Sequence, residues 1–368
     1  MNFANLSLIL PFLGSALISF LTTPLIILLF KKWQIVDDPK RHQLPKVVHT
    51  YAVPRGGGIP IFLGLLSSLL FLPFDKHLRG ILLGASVALL VGILDDKYEE
   101  KIHPLFRLLS NFLAAGLVVA AGIGIAFINN PFGGIIHLDT PQFCFFLLGE
   151  TRCLWLLADL LALFWIAWTM NFLSWSGGIA GQLPGIVVIA ALTIAGLSLK
   201  FSADITQWPV IVLALVVAGA YLGFLPWNFY PQKIMPGYGG KTLAGFSLAV
   251  LSILSTSKIA TLMLVLAIPL LDAGWLVVKR IASGQLPIWG GREHLHHRLL
   301  AIGWGKRRIA LFYWLITAFL GFLALNLNSQ AKFYTMVMLA VVFLAGLLWL
   351  HYLSASLKQP GRGSGSKT

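Results

Sequence analysis

Two aspartates stand side by side at Asp95 and Asp96, closing an apolar run from Leu78 to Leu94 in which Arg79 is the one charged residue. Adjacent carboxylates repel, which tends to hold one proton back and leaves a base and an acid at the same spot. A solvated helix cap is the plainer reading of such a pair. A second concentration of chemistry is Arg292-Glu293-His294-Leu295-His296-His297-Arg298. Imidazoles at this density suit a metal site, and imidazole with guanidinium suits a pyrophosphate clamp; a basic loop remains a third reading. On helical spacing His294 and His297 share a face while His296 points elsewhere. Glycines gather at Pro54-Arg55-Gly56-Gly57-Gly58 and at Met235-Pro236-Gly237-Tyr238-Gly239-Gly240-Lys241. Exposed backbone N–H groups there can hold a phosphate, with Arg55 and Lys241 adding charge. A plain inner loop and a re-entrant turn are the respective alternatives. Between them, Asn171 opens a stretch to Gln182 that carries Gly177, Gly178 and Gly181, where small residues also let helices pack closely.

The elements that must position these residues are membrane helices. Of 368 residues, 58% are hydrophobic and 11% charged, with a mean hydropathy of +0.84. A soluble domain of that composition lacks the polar surface to cover its core, so a polytopic all-α membrane protein is the class that fits. Apolar segments at 7–30, 57–74, 78–94, 104–128, 154–170, 184–201, 209–226, 242–256, 259–278, 309–327 and 333–354 predict eleven transmembrane helices. The first has no basic residue before it and no clear cleavage site, so it reads as a retained span. The net charge of +14 lies in the gaps between apolar runs, which points to topology and lipid head groups and away from nucleic acid. One set of alternate gaps holds 21 of the 27 basic residues. That places the N-terminus outside, the C-terminus in the cytoplasm, and every cluster named above at the cytoplasmic face. Asp272 falls in an apolar run and is expected to face protein or water. Cys144 and Cys153 fit no zinc or redox spacing; they fall outside the cytoplasm, where a disulfide is allowed but not required. One membrane domain covers residues 1–358, and a tail from Gln359, rich in Gly, Ser and Lys, is expected to be disordered.

In this order the motifs resemble those of the polyprenyl-phosphate N-acetylhexosamine-1-phosphate transferases, the translocase I-like enzymes of glycosyl transferase family 4. Asp38-Pro39 with Arg41, then Pro54-Arg55-Gly56-Gly57-Gly58, is similar to the family's first inner loop. Gly92-Ile93-Leu94-Asp95-Asp96 is similar to its aspartate pair, and Asn228-Phe229 to the Asn-Phe before its second acidic loop. His294-Leu295-His296-His297-Arg298-Leu299-Leu300 resembles the histidine motif of the branch that uses UDP-N-acetylglucosamine-like donors. The resemblance spans roughly residues 10–350 and implies a transferase of the cell (inner) membrane. It would pass sugar-1-phosphate from a UDP-N-acetylhexosamine to a polyprenyl phosphate and so initiate a lipid-linked glycan for wall or envelope biogenesis. It assigns Asp95 and Asp96 to catalysis, and Arg55, Asn171, Asn228, Lys241, His294, His296, His297 and Arg298 to substrate. Magnesium would sit at Asp95, Asp96 and Asn171, and the resemblance leaves room for a homodimer.

The chain departs from the family pattern at the acids. Aligned on Asn171, the family reads Asn-x-x-Asn-x-x-Asp-Gly-x-Asp-Gly, where this chain has Ser174, Gly177 and Ala180. In the later loop the family reads Gly-Asp-x-Gly-Ser, where this chain has Gly237-Tyr238-Gly239-Gly240-Lys241. Magnesium prefers hard, charged oxygens. The expectation is therefore a weak or substrate-dependent ion, and the alternative function is a catalytically degenerate relative that binds lipid or nucleotide.

Overall fold

The computed structural model describes residues 3–39, 51–98, 101–147, 150–255, 259–286 and 293–357. Arg41, His42 and His49 of the first loop, Arg292, and the tail from Gln359 lie outside the described residues.

The chain opens with α1 (Phe3–Lys32). A short antiparallel pair, β1 (Val36–Asp37) with β2 (Val53–Pro54), then leads into α2 (Gly58–Leu66), which tightens into a 3-10 turn at Ser67–Leu70. α3 (Lys76–Tyr98) ends in the aspartate pair. α4 (Pro104–Ala120) starts where proline is tolerated, at the first helical position, with the His103 imidazole accepting from the Leu105 N–H. At the far end of α4 the chain forms two hairpins, β3 (Phe127–Asn129) with β4 (Ile135–His137) and β5 (Gln142–Leu147) with β6 (Glu150–Trp155). A disulfide joins Cys144 to Cys153 across the second hairpin. α5 (Leu156–Ser176), α6 (Gln182–Lys200), α7 (Gln207–Asn228) and α8 (Gly237–Leu254) follow. α9 (Ile259–Val265) and α10 (Ala267–Ala282) meet at an 85° bend. The chain closes with α11 (Leu295–Ala301), α12 (Lys306–Asn326) and α13 (Ser329–Leu357).

Each of the eleven expected apolar segments holds helix, but they are not eleven membrane-length rods. Among the described residues, seven helices are long and apolar enough to cross a bilayer, and the bent pair α9–α10 makes up to eight. The runs Gly58–Leu70 and Pro104–Ala120 are shorter. The expected segment at 104–128 overshoots because Ala121 and Gly122 end α4 in a turn, and the chain continues into β3.

Burial grades from the centre outward. α6 and α7 bury 78% and 72% of their apolar windows, whereas α13 buries 17%. α1 turns Leu17, Leu21, Leu25 and Leu28 outward, and α13 does the same with Val341, Leu348 and Trp349. Stripes of that kind suit hydrocarbon, which gives apolar side chains no reason to turn inward. α3 packs against both α4 and α8. Its approach to α8 is so close that a Cβ on Gly92 would collide with the backbone of Gly239. This contact brings the end of α3 against the start of α8.

Candidate active site

The acid pair sits where α3, α4 and α8 converge. Asp95 is 4% exposed and bonds the Arg107 guanidinium from the first turns of α4. That guanidinium also lies over the Tyr238 ring, 5.5 Å from its centre. Asp96 turns the other way, and its Oδ1 accepts the Tyr238 N–H at 2.9 Å, capping the start of α8. Gly237 makes this possible. Its φ is +67°, and any Cβ there would collide with the Arg55 carbonyl and with Asp96 Oδ2. A left-handed residue with no side chain is what the close approach requires.

The first loop is stitched to the same place. Met235 N–H donates to the Pro54 carbonyl at 2.8 Å, and Gly57 N–H donates to the Met235 carbonyl at 3.0 Å. Arg55 reaches Asp37 at 2.8 Å, both largely buried. Asn228 joins two loops from behind: its Oδ1 accepts from Gly181 N–H at 2.9 Å, and its Nδ2 donates to the Ile234 carbonyl at 2.8 Å.

The histidines arrive at the start of α11, His294 just before the helix and His296 and His297 in its first turn. Asp272 is 2% exposed on α10. One of its oxygens bonds His294 Nδ1 at 2.8 Å, and the other accepts the Leu295 N–H at 2.9 Å. The buried acid thus faces protein, as its place in an apolar run requires. His294 is the extended residue before α11, so helical spacing does not apply to it. Its ring stacks on His296, centres 5.6 Å apart and nearly parallel, and His297 lies 4.3 Å beyond. All three rings therefore reach one place, in contrast to the expected split of His296 from the other two. Gly178 leaves the space for His296, whose Nε2 would collide with any Cβ at 178. Burial pushes the His296 pKa well below the usual histidine range, and the nearby His297, His294 and Lys241 add to the effect. Outside this stack, Glu293 bonds Lys279 and is held below the usual carboxylate range, first by that bond. Arg298 Nε donates to the Glu293 carbonyl.

These groups surround one cavity of about 420 Å³. Of the residues singled out from sequence, Arg55, Asp95, Asp96, Asn171, Lys241, His294, His296 and His297 line it. Asn228 and Arg298 are not among the lining residues: the first fastens loops and the second fastens its own segment. Asn171 spends its Nδ2 on the Ala167 carbonyl one turn back. Leu108, Phe112, Phe164, Trp168, Trp175 and Val277 give the cavity an apolar wall beside its polar floor. Arg107 and Asp37 are lining residues that sequence reasoning did not name as site residues. A charge inside the apolar run 104–128 was the available signal for Arg107.

The donor set does not fit a magnesium ion held by protein alone. Asp95 is committed to Arg107 and Asp96 to the Tyr238 N–H. Tyr238 offers a neutral phenol that accepts from Asn111 Nδ2. Among the described residues no three His, Cys, Asp or Glu side chains converge as a ligand set.

Comparison with known proteins fits this arrangement. The profile of glycosyl transferase family 4 matches residues 78–256, from α3 through α8. The chain is 28% identical over 345 residues to a probable undecaprenyl-phosphate N-acetylglucosaminyl 1-phosphate transferase of Bacillus subtilis, covering 92% of this chain and 89% of the relative. It is 27% identical over 372 residues to a decaprenyl-phosphate N-acetylglucosaminephosphotransferase of Mycobacterium tuberculosis, covering 92% and 87%. A phospho-N-acetylmuramoyl-pentapeptide-transferase of Lactobacillus johnsonii shares 24% over 331 residues, covering 84% and 95%. The aspartate pair, the glycine turn and the Asn228 clamp all fall inside the matched region, and it is there that the chain is similar to glycosyl transferase family 4.

Proposed function

We propose that this protein transfers N-acetylhexosamine-1-phosphate from a UDP-N-acetylhexosamine to a polyprenyl phosphate, at the cytoplasmic face of the cell membrane, to initiate a lipid-linked envelope glycan. The observation that carries this reading is the single cavity that joins the acid pair, the histidine stack and an apolar wall. A phosphate on a long hydrocarbon needs both surfaces at once. The relatives' names supply the substrate classes: polyprenyl phosphate as acceptor and an N-acetylglucosamine phosphate as the group moved.

In the reaction an oxygen of the lipid phosphate attacks the β-phosphorus of the nucleotide sugar. The bond from that phosphorus to the bridging oxygen breaks, and UMP leaves with the electron pair. A phosphate monoester loses its second proton at a pKa of about 6, so at neutral pH the acceptor is mostly ionised already. Asp95 and Asp96 therefore have more to do in orienting the acceptor and taking its residual proton than in generating the nucleophile. Arg55, Lys241, His294 and His297 hold the diphosphate, and Asn171 and His296 stand beside it. As in other phosphoryl transfers, catalysis here is positioning and charge stabilisation.

Two features support the proposed orientation. Basic residues favour the cytoplasmic side of a membrane, and the cavity is built from the basic-rich gaps. Disulfides persist in oxidising compartments, and the bridged hairpin lies between α4 and α5 at the end away from the cavity. Both support an N-terminus outside and a C-terminus in the cytoplasm. The test is UMP release by the purified protein given polyprenyl phosphate and a panel of UDP-sugars. Release with an N-acetylhexosamine donor is expected; silence across the panel would overturn the reading.

A further inference from the structure

We infer that the cavity meets the charge of its nucleotide diphosphate with a fixed protein cation, Lys241, and binds that ligand without a divalent metal. This deepens the functional reading above and rests on it for the identity of the ligand. Three observations lead to it. First, the acids at the site are already engaged. Asp37 is paired with Arg55, Asp95 with Arg107, and Asp96 caps the N–H at the start of α8. An oxygen-loving cation would have to compete with a guanidinium for two of the three. Second, the group nearest to hand is a phenol, Tyr238, whose ordinary pKa of about 10 leaves it neutral and a poor partner for a hard divalent ion. Third, Lys241 occupies the space between the acid pair and the histidines. It rises one turn after Tyr238 on α8, and its Cε passes 3.5 Å from where a Cβ on Gly177 would stand. Its charge acts on Asp96 to one side and on His296 to the other. A divalent cation in that space would meet an ammonium; a diphosphate oxygen would be attracted by it. An ammonium donates short, charge-assisted hydrogen bonds to phosphate oxygens without requiring a carboxylate to hold it in place.

The experiment is calorimetric titration of UDP-N-acetylglucosamine into the full-length protein in lipid nanodiscs, once in EDTA and once in excess magnesium. The two dissociation constants should agree within about threefold. Lys241→Met should weaken binding in EDTA by about tenfold or more, the loss expected for one charge-assisted hydrogen bond. Lys241→Arg should retain most of it, which guards against a folding defect in the methionine variant. Tyr238→Asp should create a magnesium dependence that the natural protein lacks. Binding by the natural protein that appears only with magnesium would overturn the inference and leave the transferase reading standing. Undiminished binding by Lys241→Met would remove Lys241 from the role. Absence of binding in both buffers would overturn the donor assignment itself, and the inference with it.

Discussion

Asp96 accepts the Tyr238 N–H through one carboxylate oxygen, and asparagine keeps an oxygen in that place. Asp96→Asn therefore separates charge from shape. The substitution should lower turnover by about 10²-fold or more, as loss of a positioned acid–base group does, while leaving the helical content unchanged. Near-normal turnover would reduce Asp96 to a helix cap. His296 offers a test that needs no substrate. Its pKa lies well below the ordinary histidine value of about 6.5, chiefly through burial. A depressed histidine contributes stability that is fully present above its unfolded pKa. That stability is lost as the pH falls below it, because the unfolded chain takes up a proton that the folded one refuses. The melting temperature in nanodiscs should thus fall as the pH drops below about 6.5, at no more than about 1.4 kcal/mol per pH unit for one proton. His296→Gln should flatten that part of the profile; an unchanged slope would contradict the assignment. The acids and the histidines were legible as residues because their types are rare in apolar sequence. Their partners were not. Nothing in spacing ties Asp95 to Arg107, twelve residues on, or Asp272 to His294, twenty-two residues on.

At the scale of elements, hydropathy located every membrane-length helix but missed the short α11 (Leu295–Ala301) and misjudged where several helices end. The reason is physical. Hydropathy reports which residues tolerate lipid, and it is indifferent to whether the backbone stays helical. Hence the segment at 259–278 reads as one span, although it turns through 85° between Val265 and Ala267. The hairpins between α4 and α5 escaped notice because they lie mostly outside the apolar runs and are only three to six residues per strand. The bridged hairpin carries its own prediction. Cys144 and Cys153 sit at the end of the bundle away from the cavity, so after reduction they should react with an impermeant thiol reagent on intact cells. Reaction that requires opened cells would invert the orientation and set the cavity on the outer face.

For the molecule as a whole, the order of motifs along the chain was more informative than any one of them. Loops from five places in the sequence meet in one cavity because α8 packs against both α3 and α5. What the sequence could not show was how the acids would be spent. The neutral residues Gly177, Ala180 and Tyr238 announce a loss of carboxylates, but the two arginine pairs that leave a metal little to bind appear only in three dimensions. The central claim is that the β-phosphorus moves from nucleotide to lipid, and the label that follows that atom tests it most directly. Purified protein should be given polyprenyl phosphate and UDP-N-acetylglucosamine radiolabelled at the β-phosphate, and the products separated into solvent and water phases. The account predicts that label passes into the solvent phase on the lipid while unlabelled UMP accumulates in the water phase in equal amount. Label that stays wholly in the water phase, with nucleotide still bound by the protein, would contradict it.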